Sequence, residues 1–166
     1  MKIASFIAGL SLTAVLGYAA LAEPTYLTAP DPALTPGKVA ATDQSEVCGL
    51  SSYPLHLTYS QAHRATTPAL KDWIFREYGI TPPHGSARAD WEIDHLIPLC
   101  LGGADEAANL WPQPSDRLVG VGFGFESKDK IEAAACRAVC RGGDNLQDVQ
   151  SHFLNNWRER YGEIGK

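Results

Sequence analysis

The stretch from 91 to 114, WEIDHLIPLCLGGADEAANLWPQP, constrains the fold of this chain more than any other. Its first five residues predict a short strand that ends in an acidic–imidazole pair, Asp94 and His95. An apolar run and a Leu-Gly-Gly turn follow. Asn109 then opens a second short strand, which the prolines at 112 and 114 are predicted to stop. We therefore expect Asp94, His95 and Asn109 to converge at the mouth of a hairpin-like loop.

The acidic–imidazole pair offers specific chemistry. The Asp94 carboxylate is a hard oxygen ligand of the kind that Mg²⁺, Mn²⁺ or Ca²⁺ prefers. The His95 imidazole titrates near neutral pH and can take a proton from water. Because neighbouring side chains on a regular strand point to opposite faces, the strand is expected to end at this pair, with both groups approaching one phosphate from two sides. The alternative is a turn pair in which His95 is a buried histidine with satisfied hydrogen bonds.

The start of the chain has the features of a secretory signal peptide over residues 1–22. Lys2 is followed by an apolar stretch and by the small-residue cleavage pattern Ala20-Leu21-Ala22. We therefore predict export to the periplasm or out of the cell, and no stable membrane insertion of the mature chain. Residues 23–46 are rich in Pro, Ala and Thr and predict an extended arm or linker. The folded domain is predicted to span residues 47–162.

The four cysteines are the second strong constraint. In an oxidising compartment an even number of cysteines indicates disulfides, here two. Cys136 and Cys140 lie four residues apart on a predicted helix and are poorly placed to bond each other. Each is therefore expected to pair with either Cys48 or Cys100. A zinc site is the rival interpretation, and no Cys-x-x-Cys spacing supports it.

Capping residues and apolar stripes predict three helices. The first begins at Thr67-Pro68 and ends at Gly79, the second runs from the cap Ser127 to about Arg141, and the third from the cap Asn145 to about Tyr161. Near the start of the second helix, Asp129 and Glu132 share one side. Their presence also fits an ordinary solvated helix start, where acidic residues suit the helix dipole. The predicted apolar stripes of the first and third helices are Leu70, Trp73, Ile74 and Tyr78, and Val149, Phe153, Leu154 and Trp157.

Asp94-His95, the Leu-Gly-Gly turn, Asn109 and the helix expected after them together resemble the HNH nucleases of the His-Me finger superfamily. The run IDHLIPLCLGGADEAANLWPQP with the downstream SKDKIE is similar, more closely, to a group of small secreted bacterial HNH-like proteins. The resemblance covers roughly residues 48–157. It implies an α+β fold: a small, mainly helical domain built around a ββα-metal motif and stapled by disulfides.

The resemblance also implies a role for each polar residue of the site. His95 is the general base, and Asn109 holds the loop and so orients His95. The resemblance also implies a divalent ion, Mg²⁺ or Mn²⁺, whose remaining ligand comes from the first turns of the helix. The residues that the sequence offers are Asp94, Asp129 and Glu132 for the metal and Lys128 for a contact with phosphate.

The chain departs from the HNH pattern in one respect. The third residue of that pattern, usually His or Asn, is absent at the usual offset from Asn109, which leaves Asp129 or Glu132 to complete a metal site with Asp94. The resemblance further implies a recurring disulfide, Cys48–Cys140. The second pair is then Cys100–Cys136.

The charge balance limits the function. With 14 Lys and Arg against 19 Asp and Glu, the chain lacks the basic excess of tight or sequence-specific DNA binders. The first hypothesis is an exported, metal-dependent HNH-type endonuclease that hydrolyses phosphodiester bonds of DNA, or else RNA, with little sequence preference. The alternative is a catalytically inactive exported module of the same fold that binds an envelope partner or a metal. The sequence predicts no protein partner for the nuclease.

Overall fold

A computed structural model describes residues 27–50 and 55–161, so the predicted signal peptide lies outside the described residues. Within these ranges the fold is α+β, with a two-stranded antiparallel sheet and surrounding helices. The strands are β1 (Trp91–His95) and β2 (Leu110–Pro114). The helices are α1 (Gln44–Cys48), α2 (Tyr59–His63), α3 (Pro68–Glu77), α4 (Asp116–Val119), α5 (Phe125–Cys140) and α6 (Leu146–Tyr161). Short 3₁₀ turns lie at Gly85–Asp90, Leu99–Leu101 and Ala107–Asn109.

Pro112, one of the two prolines predicted to stop the second strand, lies inside it, and Pro114 is the last residue of the strand. Pro112 pairs with Ile93, and Pro114 pairs with Trp91. At the loop end of the ladder, the Leu96 amide donates to the carbonyl of residue 109 at 2.7 Å. Hydrogen-bonded pairs recur at every second position of an antiparallel ladder, so both prolines fall on the intervening positions, where no N–H is needed. The stop expected at Pro112 was wrong for this reason.

Two of the three predicted helix starts are confirmed. Thr67 caps α3, and its hydroxyl accepts a hydrogen bond from the Leu70 amide at 3.2 Å. The Asn145 side chain accepts from the Asp148 amide at 3.1 Å at the start of α6. Both starts follow the preference of side-chain oxygens for the unpaired amides of a first turn. Near its end, α6 is kinked at Asn156, whose backbone is non-helical.

The start predicted for the second helix at Ser127 was wrong. Helix α5 begins two residues before that cap, after Gly124. The Ser127 hydroxyl donates to Asp116 at 2.6 Å and accepts from the Gly122 amide at 3.0 Å. Because this hydroxyl ties α5 to the preceding loop, it does not cap the helix.

Among the described residues, the core consists of two apolar clusters. The smaller packs α3 against the sheet through Ile74, Phe75, Ile93 and Leu110. The larger packs α5 and α6 against α1, α2 and the loop after β1. Trp73 and Leu154 were predicted to be buried and are instead 45% and 43% exposed. Both lie beside the buried stripe of their helix and not on it.

The described part of the arm lies against the loop that joins the strands. The Gly37 amide donates to the Ala108 carbonyl at 2.8 Å, and the Ala40 amide donates to the Gly102 carbonyl at 2.8 Å. The buried Thr35 hydroxyl donates to the Leu110 carbonyl at 2.8 Å. Residues 35–40 therefore pack as part of the folded unit.

Both predicted disulfides are confirmed. Cys48–Cys140 ties α1 to the end of α5, and Cys100–Cys136 ties the loop after β1 to the middle of α5. Two disulfides are typical of an exported protein. In the described ranges, no helix has the length and apolar character needed to cross a membrane.

Removal of the longer-range disulfide is expected to destabilise the domain. The Cys48–Cys140 bond closes a separation of 92 residues, so the Cys48→Ala/Cys140→Ala variant should lose about 2–4 kcal/mol of unfolding free energy. Urea unfolding of oxidised samples measures the loss, with mass spectrometry showing that Cys100–Cys136 is intact. A midpoint equal to that of the oxidised parent would contradict the expectation.

Candidate active site

The two residues of the acidic–imidazole pair are buried at the end of β1, where they meet different partners. Asp94 is 7% exposed and His95 is 5% exposed. The expected approach of both groups to one phosphate was wrong: both residues lie within β1, and their side chains diverge as those of strand neighbours do. Asp94 contacts α5 through Lys128, and His95 contacts Asp105 in the loop between the strands. The Asp94 carboxylate also accepts a hydrogen bond from the His95 amide at 2.8 Å.

The His95 imidazole and the Asp105 carboxylate form a buried pair. Nε2 of His95 lies 2.8 Å from Oδ1 of Asp105. An ionised carboxylate can only accept, so Nε2 carries the proton and Nδ1 is the basic nitrogen of the ring. The Ala65 amide and the Thr66 hydroxyl also donate to Asp105. An imidazole held in one tautomer by a fixed carboxylate is the arrangement that general-base chemistry needs.

The electrostatics of this pair keep the imidazole neutral and the carboxylate charged at neutral pH. Burial lowers the pKa of His95, and the nearby Asp105 and Asp94 only partly oppose that shift. For Asp105, burial acts to raise the pKa, but hydrogen bonds from Thr66, Ala65 and His95 hold the pKa below its usual value. A neutral imidazole can accept a proton, and the charged carboxylate stabilises the imidazolium that forms.

Asn109 holds the loop around this pair. It is fully buried in the 3₁₀ turn just before β2, and not in the strand itself. Its Oδ1 accepts from the Ile97 amide, and its Nδ2 donates to the carbonyls of Ile97 and Ala104, each at 2.9 Å. The loop is tight as well, because a Cβ on Gly103 would lie 1.8 Å from the Ile97 carbonyl oxygen. The Asn109 side chain and the close approach of Gly103 to the Ile97 carbonyl thus fix the loop between His95 and Asp105.

Replacing Asn109 by alanine should destabilise the domain by about 1–3 kcal/mol. The change leaves the buried polar groups of Ile97 and Ala104 without the partner they have in the native fold. Urea unfolding measures the loss, with Asn155→Ala as the matched control, because Asn155 is exposed on α6. Equal midpoints for the two variants would show that Asn109 does not hold the loop.

Lys128, predicted to contact phosphate, is instead fully buried between β1 and α5. Its Nζ donates to Oδ2 of Asp94 at 2.7 Å, to the backbone carbonyl of His95 at 2.6 Å, and to the carboxylate of Glu132 one helical turn along α5. An ammonium group has three N–H donors, so all of them are used. Burial alone would lower the pKa of Lys128, but Asp94 and Glu132 raise it above its usual range.

Two of the three residues predicted to hold a metal meet around this ammonium. Asp94 and Glu132 both bind Lys128, while Asp129 lies exposed at the rim. Burial acts to raise the pKa of Glu132, and the ammonium of Lys128 acts to lower it. In residues 27–50 and 55–161, no three His, Cys, Asp or Glu side chains are grouped so that they could hold a metal ion. With the ammonium between them, Asp94 and Glu132 do not fit a divalent ion.

The rim of the site is acidic, with cations beside it. Burial raises the pKa of Glu92, and the charges of Asp94 and Asp129 raise it further. The exposed guanidinium of Arg64, just after α2, acts electrostatically on His95, Glu92 and Asp129. Arg64 therefore contributes positive charge to the surroundings of His95, Glu92 and Asp129.

The sequence did not single out Asp105 as a partner of His95. The one available signal was its position: it is the first acidic residue after the Leu-Gly-Gly turn, where the chain folds back towards β1. Nothing in the sequence indicated that the Lys128 side chain points inward, where it lies between Asp94 and Glu132.

Comparison of the chain with protein-family models, with curated proteins and with solved structures gives no match in any of the three.

Proposed function

We propose that this chain is an exported endonuclease that hydrolyses phosphodiester bonds of DNA, with RNA as the second candidate, and with little sequence preference. The observation that carries the proposal is the buried His95–Asp105 pair, in which Nε2 of the imidazole lies 2.8 Å from Oδ1 of the carboxylate. Burial lowers the pKa of His95, which favours a neutral imidazole at neutral pH. In the chain, β1 and β2 are followed by the short α4 and then by α5, and this order supports the ββα arrangement that the HNH resemblance implies.

The proposed reaction is a proton transfer coupled to attack on phosphorus. Nδ1 of His95 takes a proton from water as the water oxygen bonds to phosphorus, and the bond to the leaving oxygen breaks with its electron pair. Asp105, bonded to Nε2, stabilises the positive charge that develops on the ring. In this proposal the exposed Arg64 attracts the phosphate electrostatically. The acidic rim of Glu92 and Asp129 disfavours tight binding of the nucleic acid, in agreement with low sequence preference.

The HNH resemblance implies a divalent ion, which would supply positive charge at the scissile phosphate. The residues expected to hold that ion do not fit it, since Asp94 and Glu132 are bonded to Lys128. The proton transfer proposed here therefore involves only side chains of the chain itself.

The second candidate is an exported module of this fold without catalysis. The observation that favours it is that the Lys128 ammonium uses all of its N–H donors within the protein. Because this ammonium already pairs with Asp94 and Glu132, the cluster needs no bound ion to balance its charge. Such a module would bind an envelope partner through its surface.

Nicking of supercoiled plasmid separates the two candidates. The oxidised chain without its predicted signal peptide is incubated with Mg²⁺, with Mn²⁺ or with EDTA, beside the same chain carrying His95→Ala. Nicking that disappears in the variant supports the nuclease. A folded, disulfide-bonded sample that nicks under none of these conditions would favour the non-catalytic module.

A further inference from the structure

We propose that the Lys128 ammonium is the built-in cation of this site, joining Asp94, Glu132 and the His95 backbone and excluding divalent metal ions from the space between them. The binding part of this inference stands without the proposed nuclease activity. Its mechanistic part, the positioning of His95, rests on that activity.

The first argument is geometric. Nζ of Lys128 has oxygen neighbours on three sides, at 2.7 Å from Asp94, at 2.6 Å from the His95 carbonyl, and in contact with Glu132. Mg²⁺ and Ca²⁺ require oxygen ligands at about 2.0–2.6 Å. A divalent ion that used Asp94 and Glu132 together would have to take the place that the ammonium occupies.

The second argument concerns the cost of moving the lysine. The Lys128 side chain is completely buried, and the facing carboxyl groups of Asp94 and Glu132 are 10% and 18% exposed. The Phe153 ring lies 5.9 Å from Nζ and covers the ammonium further. An incoming ion would separate the ammonium from its partners, and a buried charge without a partner is strongly unfavourable. The lysine therefore excludes the metal both by occupying its position and by charge.

The third argument links the ammonium to the proposed base. Lys128 donates to the carbonyl of His95 itself, while Asp94 accepts from the His95 amide. Both backbone groups of His95 are thus bonded within one cluster, and the imidazole projects from a fixed point. Lys128 is a positioning residue in this arrangement, because it acts on His95 through the backbone and does not face solvent.

Binding of Mn²⁺ tests the inference directly. It is measured by the decrease in the electron paramagnetic resonance signal of free Mn²⁺ and by the shift of the thermal unfolding midpoint. The proteins are the exported wild-type chain, Lys128→Ala, and the matched control Lys128→Ala/Asp94→Asn/Glu132→Gln. We expect no Mn²⁺ binding by the wild type. We expect Lys128→Ala to bind Mn²⁺ at least about tenfold more tightly than the wild type, with an unfolding midpoint that rises with Mn²⁺ and falls again with EDTA. The control should lose both effects.

Two results would overturn the inference. One is tight Mn²⁺ binding by the wild type that Asp94→Asn abolishes, because the metal would then displace the lysine. The other is a folded Lys128→Ala variant that does not bind Mn²⁺. If Lys128→Ala does not fold, the wild type and Asp94→Asn decide the question. A wild type that neither binds Mn²⁺ nor nicks plasmid contradicts the proposed nuclease and leaves the cation assignment supported, so the two failures are distinguishable.

Discussion

Replacing His95 by alanine is expected to slow plasmid nicking by about 10²–10⁴-fold, the range for loss of a general base. The imidazole is the group that the Asp105 carboxylate holds in one tautomer, and its low pKa keeps it available as a proton acceptor. Single-turnover nicking at saturating enzyme measures the chemical step without a contribution from product release.

The matched control for this variant is His84→Ala, because His84 is an exposed histidine of the loop before β1. It should nick at the wild-type rate and unfold near the wild-type temperature, and the circular dichroism spectrum of the His95 variant checks that this variant is folded. If His95→Ala nicks plasmid at the wild-type rate, His95 is not the general base, whatever the rate of the His84→Ala control.

The pH dependence gives a second readout of the same residue. Burial lowers the pKa of His95 below its ordinary 6.5, so the acid limb of the nicking rate should lie below pH 6.5. For stability, the unfolded chain takes up the proton first as the pH falls. The contribution of His95 is therefore fully present above its unfolded pKa and is lost as the pH falls through its folded pKa. An acid limb above pH 6.5 would argue against this histidine as the base.

Replacing Lys128 by methionine is expected to lower the free energy of unfolding by about 3–5 kcal/mol, the range for removing one partner of a buried ion pair. Methionine fills a similar volume but leaves Asp94 and Glu132 without their shared cation and the His95 carbonyl without its donor. Urea unfolding at neutral pH, with Lys130→Met as the control, measures the loss. Lys130 is exposed on the same helix, so its replacement should change stability by no more than about 0.5 kcal/mol.

A further variant distinguishes an electrostatic origin of this loss from a packing defect. Replacing the whole cluster with apolar residues, as Lys128→Met/Asp94→Leu/Glu132→Leu, removes the unpaired carboxylates together with the cation. Such replacements of complete buried ion clusters are often neutral or stabilising, so the triple variant should recover most of the loss. A triple variant that is less stable than Lys128→Met would assign the effect to packing.

Local signals in the sequence predicted much of the fold. Thr67 and Asn145 were recognisable as caps because their side-chain oxygens bond the first amides of a helix. The disulfide partners followed from the spacing of Cys136 and Cys140 together with the family resemblance. The prolines of β2 misled the prediction, because the register decides whether a strand position needs its N–H, and register is a property of two strands.

The site was harder to predict for a similar reason. The sequence predicted that Asp94 and His95 lie together at a strand end, because they are neighbours in the chain. The partner of each, Lys128 and Asp105, depends on tertiary packing. A lysine beside two carboxylates is equally consistent, in sequence, with a solvated helix face. Only burial of that face turns the same three residues into a closed ionic cluster.

The arm has a consequence for how the chain tolerates shortening. A chain that began at residue 47 would lose the hydrogen bond from Ala40 to Gly102 and the bond from the Ala104 amide to the Lys38 carbonyl at 2.9 Å. These bonds lie along the outer side of the turn that connects His95 to Asp105. Cleavage by a protease between residues 38 and 40 would therefore change the geometry of the His95–Asp105 pair, although the cut lies outside that pair. Trimming this end of the chain would loosen the folded unit.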